Sequence, residues 1–268
     1  MPTFSAIERP WVTPELAREA YENGTGRGIR IAVIDSGVEA SHPCFASLKL
    51  ADSVGFEEDE ESGRIVVADG AGEDVFGHGT AVASIIHQFA PEAEIGSFRA
   101  IDSRNLSRTA LISAAIREAL NRDYHILNCS FGCRGLAKFI LPHKAWADEA
   151  WLRGVFAVSA CSNDDEDLVE WPAHFVNVFA VGMAKTESEE IFYRPRRMVE
   201  YAARGEDVEV AWRGGQVQQK TGSSFAAPRL TAAIARILSV HPTISPAKMH
   251  ELLPRIVSSW SEELDPNW

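Results

Sequence analysis

The chain has 268 residues, 46% of them apolar, which is ample for the core of one large α/β domain. Twenty-six basic against 38 acidic residues give a formal charge of −12, which argues against nucleic acid and anionic membranes as partners and favours cationic ligands. Met1 to Pro10 lack the basic start and apolar core of a signal peptide, and no window approaches the ~18 uninterrupted apolar residues of a membrane helix, so a cytoplasmic location is expected.

Thr13-Pro14-Glu15-Leu16 reads as a helix start, with Thr13 as N-cap and Pro14 at the first helical position, and Asn23-Gly24 ends it. Ile29 to Ile34 is a short β-branched run of the kind that forms a buried parallel strand, closed by Asp35-Ser36-Gly37. Glu57 to Glu61 has no apolar periodicity and reads as a solvated loop. Gly77-His78-Gly79-Thr80 opens a second helix that runs to Phe89. Ile95 to Ile101 is a further strand, and Leu106 to Leu120 carries apolar residues at amphipathic-helix spacing. Tyr124 to Ser130 reads as a strand, Lys144 to Leu152 as a helix, and Gly154 to Ala160 as a buried strand with Cys161-Ser162-Asn163-Asp164 as its polar exit. Phe175 to Gly182 is the next strand, Glu209 to Trp212 belongs to a hairpin, and Thr221-Gly222-Ser223-Ser224 is a tight turn into a helix ending at Val240. This alternation predicts one doubly wound, mostly parallel sheet with helices on both faces, a core over residues 11–240 and a helical C-terminal segment over 241–268.

Cys44, Cys129, Cys133 and Cys161 are too few and too irregular for a disulfide framework, so reduced thiols are expected, and no second close pair completes a metal site with Cys129 and Cys133. Cys129 and Cys161 adjoin candidate site segments and read as packing residues whose thiols could still sense thiol reagents. Arg194-Pro195-Arg196-Arg197 reads as a solvated basic loop.

Asp35, His78, Asn163 and Ser224 all stand at strand exits or helix starts, which an open α/β sheet gathers along one edge. A hydroxyl beside helix N–H groups suits a nucleophile that generates an oxyanion. An imidazole at a helix start is held neutral by the dipole, as a base requires, and a carboxylate orients it. An amide side chain supplies an oxyanion donor.

Three ordered signatures carry a family likeness: Ile31-Ala32-Val33-Ile34-Asp35-Ser36-Gly37, Gly77-His78-Gly79-Thr80-Ala81-Val82-Ala83 and Gly222-Ser223-Ser224-Phe225-Ala226-Ala227-Pro228. The sequence resembles the subtilisin-like serine proteases, the subtilases, over about residues 11 to 240. The resemblance implies a Ser224, His78, Asp35 triad, Asn163 as oxyanion donor, and Ser130-Phe131-Gly132 as the segment that pairs with substrate backbone. It also implies that Glu170, just before Trp171-Pro172-Ala173, lies at the base of the pocket for the side chain preceding the cut, with Asp164 at its rim. Two carboxylates there favour Arg or Lys in that place, against the alternative that Asp164, Asp165, Glu166 and Asp167 form a solvated acidic loop with Glu170 paired internally.

Departures from the family pattern, Ala81 for a second His, Phe225 for Met and Arg229 for a His, remove no reacting atom. The calcium-binding insertion of many secreted members is missing after Phe89, so calcium dependence is not expected, and folding is expected either to proceed without a propeptide or to follow a propeptide that has been removed. Ser41-His42-Pro43-Cys44-Phe45 is similar to intracellular leader-peptide proteases such as those of cyanobactin maturation. A serine endopeptidase acting on a peptide or protein precursor, with no metal or organic cofactor, is therefore expected. A ligase or macrocyclase on the same fold and a catalytically silent binding module are the alternatives, and the oligomeric state is left open.

Overall fold

The computed structural model describes residues 11–46, 48–165 and 168–265; the reading of Met1 to Pro10 and the Glu166 and Asp167 part of the acidic loop lie outside them. Helix α1 (Pro14–Asn23) starts as expected, its Thr13 side chain accepting the Leu16 N–H, and leads into β1 (Arg30–Asp35). A hairpin of β2 (Ser53–Glu58) and β3 (Ile65–Asp69) precedes α2 (His78–Phe89) and β4 (Glu94–Arg99). Next come α3 (Thr109–Asn121), β5 (Ile126–Cys129), the short β6 (Cys133–Arg134), α4 (Ile140–Leu152), β7 (Phe156–Ala160) and the short β8 (Glu170–Trp171). Strands β9 (Phe179–Ala184), β10 (Ile191–Tyr193) and β11 (Tyr201–Arg204) lead to the hairpin β12 (Val208–Trp212) and β13 (Gln216–Lys220). The long α5 (Ser223–Val240), α6 (Pro246–Ile256) and β14 (Ser258–Ser259) complete the order.

The main sheet runs β14-β10-β11-β9-β7-β5-β1-β4-β2-β3, parallel at every step except β2–β3 and β10–β11. Strand β1 is buried on both sides, so its apolar residues divide between two cores. Ile31 and Val33 pack with α1, α2, α5 and α6, whereas Ala32 and Ile34 pack with α3 and α4. This is the doubly wound, mostly parallel sheet that the alternation of elements predicts. The chain leaves β1 toward β4 on one side and later returns to β5 on the other, so the switch point of the winding lies at the carboxyl end of β1, at Asp35.

Three expectations are corrected. The acidic run is not one loop: Glu57 and Glu58 pair with Val66 and Ile65 at the end of β2, with their charges taken by Arg99 and Arg108. Leu106 is not helical. Asp102 accepts its N–H, Asn105 takes φ +59, and α3 begins only at Thr109, which leaves 104–108 as a loop. Arg194 is buried rather than solvated, stacked over Trp260 and donating to the Tyr201 carbonyl.

Candidate active site

Asp35 is fully buried at the end of β1, and its Oδ1 accepts the Ser36 N–H at 2.7 Å. His78, the first residue of α2, places Nδ1 2.8 Å from Oδ1 and 2.9 Å from Oδ2 of Asp35. A carboxylate only accepts, so Nδ1 carries the hydrogen and Nε2 is left as the basic nitrogen of the neutral ring. Burial disfavours the His78 imidazolium, but the charge and hydrogen bond of Asp35, with help from Asp74, outweigh it, and the pKa lies above the ordinary 6.5. The expected depression by the helix dipole is thus overridden by two carboxylates close to the ring.

The start of α2 is built around Asp74, which sequence reasoning missed. Gly77 stands at the cap position without a side chain, because its φ of +126 and the Trp212 indole, 2.4 Å from an added Cβ, admit only glycine. Asp74, buried at 2% exposure, does the capping from further back. Its Oδ1 accepts from Ser36 Oγ and from the Phe76 and Gly77 N–H groups, and its Oδ2 from the N–H and hydroxyl of Thr80. The Gly79 N–H goes to Ser36 Oγ. The Gly77, Gly79 and Thr80 N–H groups of the helix start are thereby satisfied while β1 and α2 are fastened together. An acid four residues before His78, next to a cap position that has no side chain, was the signal available in the sequence.

Ser224 is the second residue of α5, and among the described residues its N–H has no backbone partner. Its hydroxyl donates to the Ser130 carbonyl at 3.2 Å and not to His78. Asn163 accepts the Ser223 N–H on Oδ1 at 2.7 Å, which leaves Nδ2 as the free end of its amide. His78, Ser224, Asn163, Ser130, Phe131, Gly132, Asp164 and Glu170 all line one cleft of about 490 Å³, whose far wall is the 105–109 loop and helix start.

Glu170 is half-buried on β8, with Oε2 2.7 Å from where a Cβ on Gly132 would sit, so the glycine makes room for the carboxylate. Burial raises its pKa, Asp164 adds to the rise and His174 opposes it. The contacts of Glu170 to His174 are made by its backbone, and among the described residues no ion pair takes its carboxylate. Asp164 and Asp165 are exposed. Cys161 is buried in the cleft wall, Cys129 is sealed in the core, and Cys133, read from the sequence only as half of an incomplete metal pair, is half-buried in the same wall with Sγ 3.5 Å from His143 Nε2. Among the described residues no group of three or more His, Cys, Asp or Glu side chains is placed to hold a metal ion.

Comparison with known proteins bears on the family and the fold. The thermostable alkaline protease of Halalkalibacterium halodurans is 27% identical over 90% of this chain and 69% of its own length. The subtilisin-like protease het-Q2 of Podospora anserina is 30% identical over 79% of this chain and 69% of its own length. The solved structure of S41 psychrophilic protease superposes with a TM-score of 0.72 at 23% identity, covering 91% of each chain, which speaks for the fold. Residues 26–259 match the peptidase family described as the Subtilase family, and the chain belongs to that family of subtilisin-like serine endopeptidases.

Proposed function

We propose that the cleft hydrolyses peptide bonds through an acyl-enzyme on Ser224, with His78 as base and Asp35 as its orienting partner. The observation that carries this reading is the buried Asp35–His78 pair, whose ring reaches the cleft that also holds Ser224. Rotation of the Ser224 side chain moves its hydroxyl from the Ser130 carbonyl to His78 Nε2. His78 takes the proton as Oγ bonds to the substrate carbonyl carbon, and the resulting oxyanion is met by the Ser224 N–H and Asn163 Nδ2. The C–N bond then breaks, with the proton passing from His78 to the leaving amine. Water repeats the sequence, losing its proton to His78, and releases the acid.

The unpaired Glu170 carboxylate, with Asp164 near it, supports a preference for Arg or Lys before the cut. The four free cysteines support a reducing compartment, and with the Ser41-His42-Pro43-Cys44-Phe45 likeness this favours processing of a peptide precursor in the cytoplasm. Among the described residues no helix is long and apolar enough to cross a membrane. Incubation of a cell-derived peptide library with the protein, and mass-spectrometric mapping of the new termini, tests the reading. Cuts after Arg and Lys, lost in Ser224→Ala, are expected. Cuts after apolar residues reject the specificity, joined products signal a ligase, and an unchanged library signals a silent module.

A further inference from the structure

Helix α5 carries Pro228 in its interior, four residues after Ser224. Proline has no N–H, so the helix cannot supply the usual i+4 donor to the Ser224 carbonyl. The vacancy is filled from β5 and the residue beyond it. Ser130 Oγ donates to the Ser224 carbonyl at 3.1 Å, Asn128 Nδ2 donates to Ser130 Oγ at 3.0 Å, and Thr231 Oγ1 donates to Asn128 Oδ1 at 2.7 Å. All three side chains are buried, Thr231 and Asn128 at 0% and Ser130 at 4% exposure. Thr231 and Ser224 stand on the same helix two turns apart, so the chain of hydrogen bonds leaves α5, passes through the carboxyl end of the central strand β5 and returns to α5. Each link donates in the same sense, and such a chain polarises cooperatively toward its last acceptor.

We propose that Thr231 and Asn128 are positioning residues for the nucleophile: through Ser130 they restore the bond that Pro228 removes and so fix the peptide unit that carries Ser224. This deepens the reading of Ser224 as nucleophile and rests on it. The device matters because Ser130 also accepts the resting Ser224 hydroxyl on its own carbonyl. A shift of the Ser130 segment therefore displaces both the nucleophile and the group it must leave in order to reach His78. Small misplacements at a reacting atom lower turnover with little effect on substrate affinity.

The test is a kinetic cycle on Thr231 and Pro228, read by turnover and by the rate of fluorophosphonate labelling. Thr231→Val keeps the shape and deletes the donor; kcat and labelling rate are expected to fall roughly tenfold with KM unchanged, and Thr231→Ser to recover most of the loss. Pro228→Ala returns an N–H to the helix, so in that background Thr231→Val is expected to cost less than roughly twofold. Full activity in Thr231→Val, or an equal loss in both backgrounds, overturns the proposal, as does a Thr231→Ser variant no better than Thr231→Val. Failure of the wild type to be labelled on Ser224 overturns the nucleophile assignment itself, a result distinct from a labelled wild type that is insensitive to Thr231.

Discussion

The imidazole Nδ1 of His78 lies within 2.9 Å of both carboxylate oxygens of Asp35, and this pairing sets the pH range in which the site can work. Proton abstraction needs the neutral ring, and the pKa of His78 is raised above 6.5, so kcat/KM is expected to climb with pH through a midpoint above that value. Stability moves the other way: the contribution of the charged pair is complete below 6.5 and is lost as pH rises through the higher folded value. Asp35→Asn should lower the kinetic midpoint and reduce kcat by roughly 10⁴. A wild-type midpoint at or below 6.5 in the pH profile contradicts this account.

Asp74 is predicted to hold the site without reacting. Removing a buried carboxylate that accepts five hydrogen bonds leaves those donors unsatisfied, and Asp74→Ala should cost roughly 2–4 kcal/mol. Thermal unfolding should then show a Tm lower by roughly 5–15 °C, and a shift under about 2 °C would mean that the α2 start does not depend on it.

Glu170 is expected to govern substrate choice through its charge. Glu170→Gln keeps the shape and should reduce the kcat/KM ratio of Arg over Leu before the cut by roughly 10–100-fold. In the wild type the ratio should decline with acidification through a value above 4.5, because burial raises the Glu170 pKa. Matched peptide pairs measured across pH check both.

Cys133 is predicted to be the thiol through which alkylating reagents block the cleft, since it is half-buried in the wall while Cys129 is fully enclosed. Burial pushes the Cys133 thiol up and pushes the neighbouring His143 down to about 4, so the ring is neutral near pH 7 and does not activate the thiol by charge. Inactivation should be slow at neutral pH, faster as pH rises, and absent in Cys133→Ser. Equal inactivation of that variant would move the reactive thiol elsewhere.

The parts of the fold legible in the sequence are those whose burial is total. Ile31 to Ile34 face two cores at once, so an unbroken apolar run announced β1, and Asp35 at its end stood out by contrast. The β2–β3 hairpin was hidden because Glu57 and Glu58 sit on a strand near the sheet edge, where arginines can meet their charge, and their acidity masked the strand. Leu106 carried helical spacing by coincidence, its neighbours being held in a turn by Asp102. Asp74 could have been read from its place just before the α2 start, where most of its partners are local, but the Thr231–Asn128–Ser130 chain was out of reach because its partners come together only when β5 meets α5. Local periodicity carries no trace of such pairings.

The central claim is that Ser224 is the nucleophile, and a fluorophosphonate followed by peptide mapping tests it most directly. The account predicts a single adduct on Ser224 of the wild type, slowed markedly in His78→Ala and absent in Ser224→Ala. An adduct on any other residue, or labelling that survives in Ser224→Ala, would contradict it.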